Sequence, residues 1–594
     1  MCGIVGSNFH IDNHEHIIDI LSPRGPDCCN AKYIHDTFFA HCRLSIIDSY
    51  NTDANQPILE DDVLIVFNGT IYNYKELQNQ YNLPQTNSDT KTLLMLYKKF
   101  DTEFLNMLNG SFAFCIYDIK KNIFFCARDR YGKKPLFYYH DSKEFIFSSM
   151  INAILKILQK TPKLNKEALN QYLQFFVPIE ENTFYQNIYK LQAGHYLIFD
   201  NNTKELKTKK YYRIDTAKTI FDESTAVTTI KQNLFDSIES RLIGDSKIAS
   251  LLSGGVDSSL VSAMFAKLTN SKIDTFSVGY ENHKKYDELK YANIVSKHIN
   301  SNHNEIIISK KDFIENIDES IEIMGEPHGD SASIPLNILS KHINQSGFRV
   351  VLSGEGSDEL FLGYNIYQTM LKFHNFQQTL SKEQIEFLYT YTPSLQNNTK
   401  ESEYFLRIAK QEFLYNSFGE TFNNSQKAKL LHKPYFFTQK PTEKNFIDAM
   451  SLIDMNIWLG NSLLSKVDAI TSYNAIEART PFLDFRLVNN AFAIESHLKL
   501  GDTTKYLIKK LADEFLPKEI VHRSKKGFST PSNEWIHEHF KDDILNLILE
   551  VSNETGFFKN EFIKQIYELS KSGKFRQHLW HLFIFSKWFK KIYL

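Results

Sequence analysis

The segment SLLSGGVDSSLVSA, from Ser250 to Ala263, restricts the possible folds more than any other stretch of the chain. An apolar run leads into Gly254 and Gly255, and a helical pattern follows them. A buried strand that passes through a glycine loop into a helix is typical of parallel α/β sheets. Adjacent glycines let backbone amides wrap an anion, and the helix N-terminus adds positive dipole. The segment therefore predicts an α/β domain with an anion-binding loop, the alternative being an ordinary glycine turn before a helix.

A second acidic loop follows a second apolar strand, in VVLSGEGSDELFLGY from Val350 to Tyr364. Asp257 and Asp358 each stand just past a predicted strand, so a doubly wound sheet brings both to one crevice at its carboxyl edge. Two carboxylates in that position suit Mg²⁺, which prefers oxygen ligands and shares them with phosphate. Glu355 and Glu359 are further candidates. For each of these acids, a solvated loop residue without function is the competing interpretation.

The pattern of strands changes near residue 214 and predicts two domains, 1–214 and 215–594. The first is dense in short aromatic or β-branched runs such as VLIVFNG, SFAFCIYDI and EFIFSS. These runs predict stacked antiparallel sheets with a few flanking helices, one of them near 89–100. The second domain alternates apolar runs with long helical stretches, which is typical of a parallel sheet with crossover helices, and is mostly helical beyond about residue 358. At 594 residues the chain is long enough for a core in each domain.

Charge and cysteine content narrow the class of protein. The chain has 68 Lys and Arg against 70 Asp and Glu, a balance that does not favour a dedicated nucleic-acid or membrane-surface protein. No signal peptide or membrane span is readable, so we expect a cytoplasmic protein with neither a membrane nor a nucleic-acid partner. All six cysteines lie in the first domain, without the spacing of a zinc site or of a secreted disulfide framework: Cys2, Cys28, Cys29, Cys42, Cys115 and Cys126.

The chain begins MCGIVG, with a cysteine directly behind the initiator methionine. A small second residue allows the methionine to be removed, which leaves Cys2 with both a thiol and an α-amine. Such a residue is a nucleophile that carries its own base. On position alone, Cys2 could equally be a chance small residue at the start of a strand, so the remaining motifs decide between the two interpretations.

Taken together, these features resemble the glutamine-dependent asparagine synthetase family over nearly the whole chain. The loop SGGVDS is similar to the pyrophosphate loop of ATP pyrophosphatases and lacks the GK[ST] ending of a Walker A loop. Family-like segments of the first half are RGPD, HCRLSIID, NGTIYN, SDT and RDRYGKKPLFYY. Those of the second half are FSVGY, LSGEGSDELFLGY, AIEARTPFLD, TTKYLIKKLA and RSKKGFSTP. Many short matches in one order are far more specific than any one of them.

The resemblance implies that the first domain is an N-terminal-nucleophile glutaminase. Cys2 would attack the side-chain amide of glutamine to give a thioester and ammonia, with its α-amine as base. Asn68 and Gly69 match the family's donors to the tetrahedral oxyanion. Arg43 and Asp89 match the residues that hold the carboxylate and the ammonium group of glutamine.

The resemblance also implies that the second domain adenylates a carboxylate with ATP and Mg²⁺ and releases pyrophosphate, before ammonia attacks the acyl adenylate. Glu355 matches a residue tied to that intermediate, as a base towards ammonia. Lys505 matches a lysine that neutralises charge on the phosphates, although a solvated helix lysine is the competing interpretation. Asp257 and Asp358 match the magnesium positions. The positions that match nucleotide contacts are Leu251, Ser253, Gly254, Gly255, Asp257, Ser258, Val278, Ser353 and Gly354.

Three positions depart from the family pattern. Thr70 occupies a glutamine-binding position where the family usually has glutamate, so a hydroxyl stands in place of a charge. Pro23 stands where RGPD is often preceded by histidine. Met150 stands where the family usually has a glutamate that is structural or lies near the domain contact. Thr70 bears on the affinity or selectivity for glutamine, and Met150 bears on the coupling of the domains rather than on the chemistry.

The motifs hardly constrain the acceptor, so several hypotheses remain open. One is asparagine synthesis from aspartate, glutamine and ATP, and another is the same chemistry on a sugar acid, a peptide or another carboxylate. The segment EPHGDSASIP, 326–335, resembles a stretch near the family's acceptor site. The neutral charge counts against a tRNA-directed enzyme, and intact Cys2, Asp257, Asp358 and Lys505 count against a non-catalytic scaffold. Family precedent also implies a homodimer and a passage for ammonia between the domains.

Overall fold

The computed structural model describes residues 1–392, 400–525, 527 and 529–594, so Lys526 and Phe528 of the segment RSKKGFSTP lie outside the described residues. The strands are β1 (Gly3–Ser7), β2 (Cys28–Ile34), β3 (Thr37–Arg43), β4 (Ile58–Glu60), β5 (Val63–Ile71), β6 (Gly110–Asp118), β7 (Ile123–Arg128), β8 (Phe137–His140), β9 (Phe145–Ser148), β10 (Ile188–Lys190), β11 (His195–Asp200), β12 (Leu206–Lys210), β13 (Ile248–Leu251), β14 (Asp274–Tyr280), β15 (Asn302–Ile308), β16 (Val350–Leu352) and β17 (Glu477–Arg479).

The helices include a π-helical stretch at Met455–Leu463 between two α-helices. The α-helices are α1 (Glu15–Leu21), α2 (Tyr74–Gln80), α3 (Asp89–Phe100), α4 (Ile151–Leu158), α5 (Lys166–Phe175), α6 (Glu223–Ser240), α7 (Val256–Thr269), α8 (Leu289–His298), α9 (Lys310–Glu315), α10 (Ile317–Met324), α11 (Ser333–Gln345), α12 (Ser357–Leu360), α13 (Asn365–Thr379), α14 (Lys382–Tyr391), α15 (Lys400–Ala409), α16 (Asn424–Leu430), α17 (Phe446–Asp454), α18 (Leu464–Tyr473), α19 (Phe485–Ala493), α20 (Ser496–Leu500), α21 (Tyr506–Ala512), α22 (Lys518–Val521), α23 (Ser532–Phe540), α24 (Asp543–Thr555), α25 (Asn560–Lys571) and α26 (Arg576–Tyr593).

The first domain contains two six-stranded antiparallel sheets, ordered β10-β8-β9-β1-β3-β2 and β12-β11-β7-β6-β5-β4. Their facing sides share one apolar core, in which the ring of Phe39 on β3 lies 5.4 Å from Tyr117 on β6 and 5.7 Å from Phe124 on β7. The helix α3 covers the other face of the second sheet and starts from Ser88, whose hydroxyl accepts from the backbone of Lys91. The predicted stacked sheets and the helix near 89–100 are confirmed.

The second domain is built on a parallel sheet ordered β15-β14-β13-β16-β17, with helices on both faces. Val351 of β16 faces a core shared with α11 and α18, whereas its neighbour Leu352 faces a core shared with α6 and α7. Successive strand residues point to opposite faces, so both faces of this sheet are buried. The predicted α/β domain with a helical C-terminal part is confirmed, but the sequence analysis missed the strand β17.

The domains meet through buried ion pairs. Asp468 on α18 accepts from Arg24 at 2.8 Å and from Lys134 at 3.1 Å, and all three side chains are about 2% exposed. Met150 belongs to an apolar cluster of the first domain against which Tyr473 of the second packs, so this departure from the family pattern lies near the domain contact. The predicted division after residue 214 falls between β12 and α6 and stays a prediction.

The register of β2 and β3 places Cys29 opposite Cys42, and the structure joins them in a disulfide. The sequence analysis did not predict this pair, because the two residues are 13 positions apart and only the strand register reveals that they are neighbours. Among the described residues, no helix combines the length and the hydropathy needed to cross a bilayer.

Candidate active sites

Cys2 lies directly before β1 and is 8% exposed. Its backbone nitrogen donates to Asn68 Oδ1 at 3.0 Å, and its carbonyl accepts from Arg24 Nε at 3.1 Å. Pro23 is part of the short turn that presents Arg24. Because Met1 is present, the Cys2 nitrogen is an amide here and stands for the α-amine of a processed chain. Burial raises the pKa of the Cys2 thiol, and the positive charge of the N-terminus opposes this rise.

A hydrogen-bond donor without a partner in the described part of the chain lies on Asn68, whose other amide atom is bonded to Cys2. The Nδ2 of Asn68 on β5 is buried and has no hydrogen bond to any described residue, while its Oδ1 is fixed by Cys2. At the next position, a Cβ on Gly69 would lie 2.1 Å from the carbonyl oxygen of Ser111, so only glycine fits. An unpartnered buried amide is costly, and it is suited to donate to an anion that forms near it.

Cys2 shares a cavity of about 40 Å³ with Arg43, Gly69, Thr70 and Asp89, which we call the Cys2 pocket. The Arg43 guanidinium donates to four oxygens of the loop 47–55 at 2.7 to 3.1 Å, so its position is fixed. Met1 also lines this pocket, so its removal would enlarge the space.

Asp89 begins α3, and its Oδ2 accepts from the backbone nitrogen of Ile71 at 3.1 Å. Burial raises the pKa of Asp89 to about 6, against the effect of the backbone hydrogen bonds. The carboxylate is therefore ionised at neutral pH and is available to a cation in the Cys2 pocket.

The wall of the Cys2 pocket includes one residue of the second domain. Glu477 on β17 is 2% exposed, and its two carboxylate oxygens accept from the Thr70 hydroxyl at 3.1 and 3.2 Å. Arg479 Nε donates to the same carboxylate at 2.8 Å. Burial would raise the pKa of Glu477, but Arg479 and Lys134 hold it below the ordinary value. Sequence reasoning missed Glu477, although it lies in the family-like segment AIEARTPFLD.

The second site is a cavity of about 990 Å³ at the carboxyl ends of β13, β14 and β16, which we call the loop cavity. Gly254 does not line it but makes the turn, because its φ is +73° and a Cβ there would lie 2.6 Å from the backbone nitrogen of Ala292. The structure brings the remaining predicted residues of the second domain to this cavity: Leu251, Ser253, Gly255, Asp257, Ser258, Val278, Ser353, Gly354, Glu355, Asp358 and Lys505.

Lys505 joins the two predicted acidic loops. Its ammonium contacts Asp257 and lies 2.7 Å from Asp358 Oδ1, and its side chain is 2% exposed. Burial alone would lower the pKa of Lys505, but the two carboxylates outweigh burial and raise it. Lys525 also contacts Asp358. Both strand-end carboxylates therefore lie in one ion-pair cluster, as the sheet topology predicts.

The acids of this cluster differ in their capacity to hold a metal ion. Asp257 Oδ1 is buried without a hydrogen-bond partner among the described residues, so it fits an oxygen ligand for Mg²⁺. Glu359 does not fit, because burial and Asp358 raise its pKa to about 8 and keep it neutral. The described residues contain no group of three or more metal-type side chains, so a bound Mg²⁺ would take most ligands from phosphate and water.

Two residues of the loop after β16 that line this cavity, Ser353 and Glu355, carry buried polar atoms without a partner in the part of the chain that is described. Ser353 Oγ and Glu355 Oε2 are buried and have no hydrogen-bond partner among the residues that the structure describes. The backbone nitrogen of Ser353 donates to the carbonyl oxygen of Arg479 at 3.0 Å, which ties this loop to β17. Glu355 thus lines the loop cavity and has a carboxylate oxygen that no described residue satisfies.

The far part of the loop cavity contains charged and aromatic side chains. Lys466 and Asp330, the latter from the predicted acceptor segment, form an ion pair of 2.6 Å on its wall. Phe176, Phe418 and Trp458 line it as well, with ring centroids 5.1 to 5.2 Å apart around the tryptophan. Sequence reasoning missed this aromatic wall, because its members come from three distant segments.

Comparisons with known proteins place both sites in one class of enzyme. A family model described as asparagine synthase matches residues 229–590, and one described as a glutamine amidotransferase domain matches residues 1–212. The chain is 30% identical to glutamine-hydrolysing asparagine synthetase 1 of Bacillus subtilis, over 99% of this chain and 96% of the relative. It is 26% identical to asparagine synthetase 3 of the same species, over 93% of this chain and 92% of the relative. It is also 26% identical to amidase chyE of Penicillium rubens, over 88% of this chain and 85% of the relative.

These matches define an ATP-dependent ligase that carries its own glutamine amidotransferase. The chain belongs to the glutamine-dependent asparagine synthetase family. The resemblance and the fold class predicted from the sequence are confirmed.

Proposed function

We propose that the protein hydrolyses glutamine in the Cys2 pocket and uses the ammonia to convert aspartate into asparagine in the loop cavity. One observation carries the proposal: a single chain holds a buried N-terminal thiol beside an unpartnered amide donor, and a second cavity in which a lysine joins two strand-end acids. The membership of the family and the 30% identity to a glutamine-hydrolysing asparagine synthetase support it.

In the Cys2 pocket, the thiol loses its proton to the α-amine of Cys2 and attacks the amide carbon of glutamine. The oxyanion that forms accepts hydrogen bonds from Asn68 Nδ2 and the Gly69 amide. Collapse passes the proton from the α-ammonium group to the leaving nitrogen, expels ammonia and leaves a thioester, which water cleaves to glutamate and the free thiol. Arg43 holds the α-carboxylate of glutamine, and Asp89 holds its ammonium group.

In the loop cavity, a carboxylate oxygen of aspartate attacks ATP and displaces pyrophosphate, which gives an acyl adenylate. Lys505 and the amides of the loop at Ser253 to Ser258 offset charge on the departing phosphates. Glu355 accepts a proton from ammonia as the nitrogen attacks the acyl carbon, and AMP leaves. Asp257 and, if Lys505 and Lys525 release it, Asp358 would hold Mg²⁺, which neutralises phosphate charge when bound.

The test is pyrophosphate release by the purified protein with ATP, Mg²⁺ and glutamine, with and without aspartate, while glutamate and asparagine are followed. Aspartate-dependent pyrophosphate with an equal amount of asparagine would support the proposal. Glutamate formation without aspartate-dependent pyrophosphate would overturn aspartate as the acceptor and leave the glutaminase intact.

The second candidate is the same chemistry on another carboxylate. The aromatic wall of Phe176, Phe418 and Trp458 favours it, because aspartate has no apolar group to place there. The amidase name of a relative is in line with such a change of acceptor. The homodimer, the absence of a nucleic-acid partner and the cytoplasmic location stay predictions.

A further inference from the structure

Glu477 has two features that a residue serving only as a structural ion pair does not need. It belongs to the second domain, yet its carboxylate lines the Cys2 pocket. It also accepts from the hydroxyl of Thr70, at the position where the family's usual glutamate is missing from this chain. A carboxylate is thus present in the pocket although the sequence of the first domain lacks one there.

The surroundings of Glu477 fit a binding site for a cation. Asp89 lines the same small pocket, and the two carboxylates are close enough that Glu477 contributes to raising the pKa of Asp89. Arg43 lines the pocket too. A pocket with two carboxylates and one guanidinium suits a zwitterion whose ammonium group needs more than one acceptor.

We propose that Glu477, together with Asp89, binds the ammonium group of glutamine and thereby supplies from the second domain the charge that position 70 lacks. Thr70 orients Glu477 through its hydroxyl and leaves room for it, since a glutamate at position 70 would bring two carboxylates into contact. The inference rests on the proposed function, because it assigns a binding role in the glutaminase half. If Glu477 has this role, the Cys2 pocket is complete only when both domains are in place.

The proposal is tested with four variants of the full chain: Glu477→Gln, Thr70→Glu, the double variant, and Thr70→Val as a conservative change that removes only the hydroxyl. For each, KM and kcat for glutamine are measured from glutamate formation. Pyrophosphate release driven by ammonium chloride instead of glutamine reports on the second domain alone.

We expect Glu477→Gln to raise the KM for glutamine about tenfold with kcat little changed, which corresponds to one charge-assisted hydrogen bond. Thr70→Glu should raise KM as well, and the double variant should return it towards the wild-type value, because one carboxylate is then present again. Thr70→Val should raise KM by about threefold, through looser orientation of Glu477. Ammonia-driven pyrophosphate release should stay within about twofold throughout.

The matched control is Asn109→Ala, which removes another hydrogen bond between the domains, 3.1 Å long, from Asn109 to Asp484. It lies outside the Cys2 pocket, so the KM for glutamine should not change. An unchanged KM in Glu477→Gln, a failure of the double variant to recover, or an equal loss of glutamine-driven and ammonia-driven activity would overturn the proposal. The last result would leave Glu477 as a structural partner of Arg479.

A binding measurement without turnover distinguishes a failure of this inference from a failure of the proposed function. Calorimetric titration of glutamine into Cys2→Ala and into Cys2→Ala/Glu477→Gln gives dissociation constants that do not depend on hydrolysis. Weaker binding in the second variant supports the role of Glu477 even if the wild-type protein forms no glutamate, an outcome that would refute the glutaminase alone. Equal dissociation constants, or no binding to either variant, would refute the role of Glu477.

Discussion

The two cavities of the protein are built in different ways. The Cys2 pocket, about 40 Å³, is lined by groups that backbone hydrogen bonds and strand positions hold in place, such as Arg43 and Gly69. The loop cavity, about 990 Å³, is lined by loops and by long side chains such as Lys505 and Lys525. With Met1 removed, the first would be enlarged towards the size of one small ligand, whereas the second already has room for a nucleotide and an acceptor together. The structure therefore constrains a ligand of the Cys2 pocket more tightly than a ligand of the loop cavity.

The largest effect is expected from a variant that inactivates the Cys2 pocket and leaves the loop cavity active. Cys2→Ala should lower glutamate formation by on the order of 1,000-fold or more, because no nucleophile remains. Pyrophosphate release driven by ammonium chloride should stay within about twofold of the wild-type rate. Rates of both reactions on the same preparation check this. A parallel fall of the ammonia-driven reaction would show that the cavities are not chemically independent.

Lys505→Met should impair the reaction in the loop cavity and leave the reaction in the Cys2 pocket nearly unchanged. Removing the ammonium group that joins Asp257 and Asp358 should lower pyrophosphate release by roughly 100-fold to 1,000-fold. Glutamate formation should change by less than about threefold. The control is Lys510→Met on α21, the helix that Lys505 directly precedes, and it removes a cation that pairs with Glu223 at the surface. Equal losses in Lys505→Met and Lys510→Met would contradict a role for Lys505 at the phosphates.

A third variant tests what the cavities have in common. Asp468→Asn leaves two buried cations, Arg24 and Lys134, without a carboxylate, which should cost roughly 3–5 kcal/mol in the free energy of unfolding. Thermal and urea unfolding measure this change, and both activities should fall together. Asp62→Asn breaks an exposed pair with Lys120 and should cost less than about 1 kcal/mol. Similar losses in the two variants would argue against a buried contact between the domains.

The smallest expected effect is the dependence of the KM for glutamine on pH, which involves only the Cys2 pocket. The pKa of Asp89 is raised to about 6, so its carboxylate is ionised above that pH and protonated below it. Since a neutral acid cannot pair with an ammonium group, the KM for glutamine should rise about tenfold per pH unit below 6. Steady-state kinetics from pH 5 to 8 measure this rise. The KM of Asp89→Asn should be high and nearly constant, and an unchanged slope in that variant would assign the titration to another group.

Much of the fold could be predicted because local patterns were strong. The segment VLIVFNG forms the buried strand β5, and the helix predicted near 89–100 is α3, Asp89–Phe100. The two loops after β13 and β16 could also be placed, because carboxyl ends of parallel strands meet at one edge of a sheet.

The features that could not be predicted from the sequence depend on contacts between distant segments. Glu477 lies on a strand of three residues inside a mostly helical region, which is too short for any periodic pattern. Cys29 and Cys42 are paired through strand register, and the Phe418 ring, on the connection between α15 and α16, contacts the distant Trp458 ring through tertiary packing. Each of these features is set by tertiary structure and has no local signal.

The buried triad of Arg24, Lys134 and Asp468 also limits which hybrid proteins can be made by joining halves of two relatives. A chimaera that joins the first half of this protein to the second half of a relative would bury two cations from one parent opposite a surface from the other. Unless that parent supplies an acid at the position of Asp468, the hybrid would lose the same free energy as the single substitution. The two halves of this protein can therefore be exchanged between relatives only if both partners of this ion-pair triad are kept, although each half has its own core.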